Sequence, residues 1–203
     1  DSSMPTDTPQ LLLASSSSYR RALLERLQLP FIWQSPELDE SPLANEAPQA
    51  LVQRLALSKA RALASRHPEH IIIGSDQVAV LDDKVLGKPL HAQGAFKQLT
   101  AASGRSVTFL TAVAVLDTRT TAAQVTEQVA CVPFTVHFRQ LSDGQIQRYI
   151  AKEQPFDCAG SFKSEGLGVS LFKSTEGSDA TSLVGLPLIR LCDMLNVCGI
   201  AVP

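Results

Sequence analysis

The chain is poor in aromatic residues, at 5%, which argues against the broad stacking platforms that hold single-stranded nucleic acid. It also lacks a strong charge of either sign. A net charge of −2 leaves no basic footprint for general nucleic-acid binding. A nucleic-acid partner is therefore not expected, and an anionic ligand has to be held by a local cluster of Lys and Arg. The four cysteines, Cys131, Cys158, Cys192 and Cys198, form no CxxC pair and no Cys/His ligand spacing. That speaks against a zinc site and against a disulfide framework; they read as small buried hydrophobes in a reducing compartment. No apolar run approaches the roughly 20 residues of a membrane span, and the polar start DSSMPTDTPQ has no signal-peptide core. A soluble, cytoplasmic protein with no membrane partner is the expectation. Met4 reads as the natural start with Asp1–Ser3 added ahead of it. Residues 1–9 are expected to be a disordered segment before a single domain over 10–203. The GxGxxG and GxxxxGK[ST] loops are absent. His67, His70, His91 and His137 share no spacing and read as structural or surface residues, so no Ser–His–Asp arrangement is expected.

With 203 residues, 44% of them hydrophobic and 19% charged, the chain can bury an ordinary globular core. The periodicity predicts a strand over 10–14, a helix over 18–29, a short strand over 31–34 and a helix over 48–66. The richest Ile/Val run predicts a strand over 70–81, turning at Asp82-Asp83-Lys84 into a short return strand. A helix is expected over 92–102, stopped at Gly104. Two β-branched strands, 106–116 and 124–138, are expected to pair antiparallel across a loop at 117–123. A helix capped by Ser142 should run to about Lys152, and a last helix should cover 187–197. Interleaved helices and strands with one antiparallel pair imply an α/β or α+β protein with a mixed sheet.

Several polar islands interrupt these apolar runs. In LASSSSYRR (Leu13–Arg21) a strand passes through serines into a helix start, which leaves free backbone N–H groups pointing at one spot. Ser15 and Ser17 add hydroxyl donors there and Arg20 a positive fork, a geometry suited to phosphate. Gly74-Ser75-Asp76-Gln77 sits inside the most apolar strand. A carboxylate there is costly unless paired, hydrogen-bonded or metal-bound, so Asp76 reads as a metal ligand or a general base beside a cleft. Gly87-Lys88-Pro89 is a rigid turn that projects one ammonium. Lys59 lies near the apolar stripe of its helix, which alone does not decide its role. One carboxylate of Glu37–Glu40 could complete a divalent-metal site with Asp76. Gly160–Gly166 reads as a tight loop presenting Glu165, or as a plain helix-to-strand connection.

Taken in order, these elements resemble the Maf family of nucleotide pyrophosphatases, from Leu11 to about Leu195. The family pattern LASxSPRRxxLL is met here by LASSSSYRRALL. An acidic pair follows, Asp39-Glu40, then LALSKA at Leu55–Ala60, GSDQ at Gly74–Gln77, LGKP at Leu86–Pro89 and SEG at Ser164–Gly166. Ser18 stands where the family commonly has proline, and serine can cap the helix instead.

The resemblance implies the α/β fold of inosine-triphosphate pyrophosphatases, an elongated mixed sheet with a cleft between two lobes. It implies hydrolysis of a nucleoside triphosphate to the monophosphate and pyrophosphate, assisted by a divalent cation, Mg or Mn. By position, Ser15, Arg20, Lys59 and Lys88 would bind the triphosphate. Glu40 and Asp76 would serve metal and water, with Asp76 as proton acceptor. Three positions separate substrate classes in the family. Arg, Thr and Gln resemble members acting on dTTP and UTP; Trp, Gln and Glu resemble members acting on 7-methyl-GTP. Tyr19, Gln77 and Glu165 place this chain nearer the second class, since a cationic 7-methylguanine suits an aromatic face and a carboxylate. The alternatives are a dTTP/UTP pyrophosphatase and a nucleotide-binding regulator of division or septum formation with little turnover. A homodimer is suggested by the family alone.

Overall fold

The computed structural model describes residues 10–120 and 126–203. Segment 1–9 and the part of the expected 117–123 loop from 121 onward lie outside them, as does Gln124, where a strand was expected to start.

Seven strands form one mixed sheet: β1 (Gln10–Leu13), β2 (Phe31–Trp33), β3 (His70–Leu81), β4 (Lys84–Leu86), β5 (Ser106–Asp117), β6 (Glu127–Phe138) and β7 (Phe172–Gly177). Among the described residues six α-helices accompany them: α1 (Ser18–Glu25), α2 (Pro48–Ala64), α3 (Ala92–Ala102), α4 (Asp143–Glu153), α5 (Ala180–Val184) and α6 (Leu188–Val197). The strand order is β2-β1-β3-β5-β6-β7, with β4 also on β3. β1 lies parallel to β2 and β3, and the remaining pairs are antiparallel.

β3 is the axis of the sheet. Along one edge β5 pairs with it from Ile71 to Val80. Along the other edge β1 reaches only Ile73, and β4 begins only at Ala79. The intervening residues, Gly74–Val78, have strand support on one side alone. Thus the polar island occupies a split in the sheet, where chain and ligand have room to approach.

Side chains alternate across the strand. One face packs on α2, whose Leu51, Val52, Leu55, Ala56, Ala60 and Leu63 form a buried stripe at helical spacing. Proline at the first helical position and an Ala/Leu-rich interior without glycine favour this long helix. The opposite face carries two apolar clusters. One gathers Ile71 and Ile73 of β3 with α1 and α6; the other gathers Ala79 and Leu81 with α3 and α4. Ser75 and Gln77 lie between them. α5 and the turn after it bridge this junction: Leu183 joins one cluster, while Val184 and, just past the helix, Leu186 join the other.

Some boundaries differ from expectation. α1 ends at Glu25 rather than near 29, because the amides of Arg26, Leu27 and Gln28 bond three residues back and Gln28 turns left-handed at φ 57°. β7 and α5 were not anticipated. The first is an exposed edge strand, FKSTEG, with little apolar alternation. The second is only five residues long.

Gly74 fixes the distance between α2 and β3, since a Cβ there would overlap the Ala56 carbonyl oxygen. Gly74→Ala is expected to cost about 3 kcal/mol through overpacking. That should lower Tm by roughly 5–10 °C for a chain of this size, read by thermal unfolding. An unchanged Tm would show that α2 can move away freely.

Candidate active site

A cavity of about 760 Å³ opens at the split in the sheet. Ser15, Tyr19, Arg20, Glu40, Lys59, Asp76, Gln77, Lys88 and Glu165 all line it. The fold thus brings these nine residues to one space, while Glu37 and Asp39 of the acidic loop lie outside its lining.

The turn between β1 and α1 forms one wall. Ser15 Oγ accepts from the Ser17 amide at 3.0 Å, and Ser17 Oγ caps α1 by accepting from the Arg20 amide at 3.3 Å. Both hydroxyls are therefore engaged as acceptors, with their hydrogens still free to donate. Among the described residues the amides of Ser16, Ser18 and Tyr19 carry no hydrogen bond, and all three residues face the cavity. Arg20 Nε donates to the Gly185 carbonyl at 2.8 Å. Burial lowers the Arg20 pKa, with Asp76 and Glu40 opposing the shift; a guanidinium remains charged in either case. Lys88 is exposed on its turn. The turn is tied down by Gln98, which donates to Gly87 O at 3.0 Å and accepts from Ser161 Oγ at 2.6 Å.

Lys59 is the polar member of the i, i+4 row Leu51–Leu55–Lys59–Leu63 on α2, which points it at β3. Its Nζ lies 2.8 Å from Asp76 Oδ1, 3.1 Å from Glu40 Oε1 and 3.3 Å from the Ser75 carbonyl. The side chains of Lys59 and Asp76 are only 11% and 13% exposed, against 56% for Glu40. Asp76 Oδ2 has no hydrogen-bond partner among the described residues. The described residues contain no group of three or more His, Cys, Asp or Glu side chains able to hold a metal ion. Two carboxylates converging beside a phosphate-sized space nonetheless fit an oxygen-seeking ion such as Mg²⁺, which commonly takes one or two carboxylates and completes its shell with phosphate and water.

Glu40 is carried by a proline-bearing loop that Arg54 braces. Arg54 Nε meets Glu46 at 2.6 Å, and its Nη2 donates to Ser41 O at 3.1 Å. Asp39 accepts from the amide and hydroxyl of Ser41 and does not line the cavity.

Tyr19 lines the cavity beside Cys158, Asp157 and Glu165. Burial raises its pKa first, and neighbouring Cys158 and Asp157 raise it further. Cys158 is pushed up to about 12 by burial and then by Asp157, so its thiol is neutral at pH 7. Lys163 Nζ stands 5.5 Å from the centre of the Tyr19 ring. Glu165 follows on the same loop, which α4 anchors through Glu153 accepting from the Leu167 amide at 2.9 Å. A Cβ on Gly166 would meet the end of the Glu153 side chain, which would have to shift and loosen this anchor.

Gln77 reaches the other face from Asp76. Its Nε2 has three acceptors, each at 3.0 Å: Thr111 Oγ1, Ser182 O and Leu183 O. Sequence reasoning missed this contribution of α5. A signal existed: Asp179 before Ala180, with Gly185 five residues on, is a capped helix with a glycine stop. Cys158, expected to be a buried hydrophobe, lies in the cavity wall. None of the four histidines lines the cavity. His137 makes a cross-strand relay, 2.6 Å from Ser106 Oγ and 3.2 Å from Glu176 Oε1, on an exposed part of the sheet.

The Arg54 brace has a pH signature. The guanidinium bond, aided by the Leu43 amide, holds Glu46 down at about 2 from an ordinary 4.5. A depressed carboxyl stabilises the fold above its unfolded pKa and loses that contribution as pH falls from about 4.5 through about 2. Arg54→Met should therefore unfold at a lower temperature than the parent at pH 7. That gap should close as pH approaches 2; a gap independent of pH would assign Arg54 a packing role only.

The chain was compared with known proteins. A family model described as "Maf-like protein" matches residues 10–198. A protein of Pseudomonas savastanoi pv. phaseolicola named 7-methyl-GTP pyrophosphatase is 64% identical over 195 residues, covering 96% of this chain and 100% of its own. Proteins of the same name from Pseudomonas aeruginosa and Pseudomonas putida are each 62% identical. The first covers 96% of this chain and 100% of its own length, the second 95% and 98%. A solved nucleoside-triphosphatase / dITP/XTP pyrophosphatase from Mycobacterium abscessus aligns with 65% of this chain and 75% of its own, at 17% identity and a TM-score of 0.40. On the family match and these nearly full-length identities, the chain belongs to the Maf family.

Proposed function

We propose that the protein hydrolyses 7-methyl-GTP to 7-methyl-GMP and pyrophosphate, assisted by a divalent metal ion. The observation that carries this reading is the make-up of the cavity: unpartnered amides with Arg20, Lys59 and Lys88 offer anion-binding groups, and Tyr19 beside Asp157 and Glu165 offers an aromatic face next to carboxylates. Cleaving a phosphoanhydride requires charge neutralisation on the leaving pyrophosphate and an in-line water. Ser15, Arg20, Lys59 and Lys88 would hold the triphosphate. Asp76, fixed through Oδ1 by Lys59, keeps Oδ2 for the proton of the attacking water. Mg²⁺ or Mn²⁺ would be held by Asp76 and Glu40 and would supply further charge neutralisation. A 7-methylguanine carries a positive charge, and the Tyr19 face already takes a cation in Lys163. The Glu165 carboxylate would accept from the N1–H and N2–H edge of the base. The names of the curated relatives agree with this assignment.

Among the described residues no helix is long and apolar enough to cross a membrane. Residence in the cytoplasm and assembly as a homodimer belong to the same reading; both rest on the family and on nucleotide chemistry.

Pyrophosphate release should be fastest on 7-methyl-GTP in a panel with GTP, dTTP, UTP, CTP and ITP, and chelator should abolish it. Faster release from dTTP or UTP would overturn the base assignment, and absence of turnover on every nucleotide would favour a regulator. Asp76→Asn should lower kcat by about 10²–10⁴-fold; near-parental turnover would remove it as the base. Glu165→Gln should weaken 7-methyl-GTP hydrolysis far more than pyrimidine nucleotide hydrolysis, and equal losses would remove Glu165 from base recognition.

A further inference from the structure

The Gln77 amide is gripped at one end only. Nε2 faces three oxygens, while Oε1 bonds nothing among the described residues. Arg21 Nε is the one side-chain polar atom among the described residues that is both buried and unbonded, so Gln77 Oε1 is open, and the space beside it is the cavity. The orientation is determined by chemistry. Exchanging nitrogen and oxygen would set the amide oxygen against two carbonyls, each of which can only accept.

Thr111 is the side chain that completes this grip. It lies opposite Gln77 in the β3–β5 register and is fully buried. Its hydroxyl hydrogen is spent on Ser182 O at 2.7 Å, so toward Gln77 its oxygen is obliged to accept. The hydroxyl cannot turn to donate to a misoriented amide without abandoning a buried carbonyl. α5 is itself pinned by buried Asp179, which accepts from Thr181 N at 2.9 Å, Thr181 Oγ1 at 2.6 Å and Ile189 N at 3.0 Å.

We propose that Thr111 is a positioning residue: with the Ser182 and Leu183 carbonyls it locks Gln77 nitrogen-inward, so that Gln77 offers the nucleotide only a hydrogen-bond acceptor. The group it meets must be a donor, an N–H of the base or a hydroxyl of the ribose. This rests on the reading of the cavity as a nucleotide site, and it does not depend on which nucleotide is preferred.

A double-mutant cycle tests it, with kcat/KM measured on whichever nucleotide of the panel the parent turns over fastest. Gln77→Ala should lose about 30-fold and Thr111→Val about 5–10-fold. The double variant should lose no more than Gln77→Ala alone, because Thr111 acts through Gln77. Thr111→Ser, which keeps the hydroxyl, should recover to within about twofold of the parent. Gln77→Glu should be no better than Gln77→Ala, since its carboxylate would face three acceptors. Additive losses in the double variant, equal losses in Thr111→Val and Thr111→Ser, or retained activity in Gln77→Glu would each overturn the proposal. Preference of the parent for a nucleotide other than 7-methyl-GTP would overturn the substrate assignment and leave the cycle decisive.

Discussion

A run of polar residues in the middle of an apolar strand must find partners, and most of this architecture follows from meeting that demand. Gly74-Ser75-Asp76-Gln77 sits between Ile73 and Val78, both buried, where an unmatched polar group is costly. The alternation of the strand divides the requirement. Asp76 turns to α2 and receives Lys59. Ser75 turns the other way, its hydroxyl lying 2.8 Å from Ala112 O and 3.0 Å from Gly185 O with one hydrogen shared between them. Gln77 follows it onto the carbonyls of α5. Each group that could have been a defect becomes a fixed point aimed at the gap where β1 has ended and β4 has not begun.

α5 has influence out of proportion to its length. The carbonyls at and just beyond its C-terminal end hold Arg20, Ser75 and Gln77. A group assigned to the phosphate end and one assigned to the nucleoside are thus referred to the same short piece of backbone. Its apolar side chains are shared between the two clusters on that face of the sheet. Relative movement of the clusters would therefore be felt at both Arg20 and Gln77.

Much of this was legible in the sequence, for identifiable reasons. Long strands with Ile/Val runs and helices with clear stripes declare themselves through hydrophobic periodicity, and β3, α2 and α3 were placed close to their observed bounds. The candidate residues were legible because each broke such a pattern: Asp76 in a strand, Lys59 near a stripe, Lys88 between glycine and proline. What escaped was tertiary. Thr111 is an ordinary β-former until β5 sets it against Gln77. Gly185 reads as a helix stop, and nothing local reveals that its carbonyl receives Arg20. Lys163 and Cys158 enter the wall only when the chain folds back past Tyr19. The serine cluster was read as a set of donors; what the sequence did not reveal is that two of its hydroxyl oxygens also accept to close the turn, with their hydrogens left free.

The loop that presents Glu165 hangs from α4 through Glu153 and from buried Tyr149, whose hydroxyl accepts from the Lys163 amide at 2.9 Å. Neither anchor belongs to the strand and helix that hold Asp76 and Lys59. The end of this loop is thus held by α4, while its start is tied to the Lys88 turn through Ser161 and Gln98 and packs Phe162 on the cluster that includes Ala79 of β3. A lineage could therefore vary the residues at the Glu165 end of the loop, where α4 alone carries the backbone, with less disturbance to Asp76 and Lys59 than a change at the Gly160 end would cause.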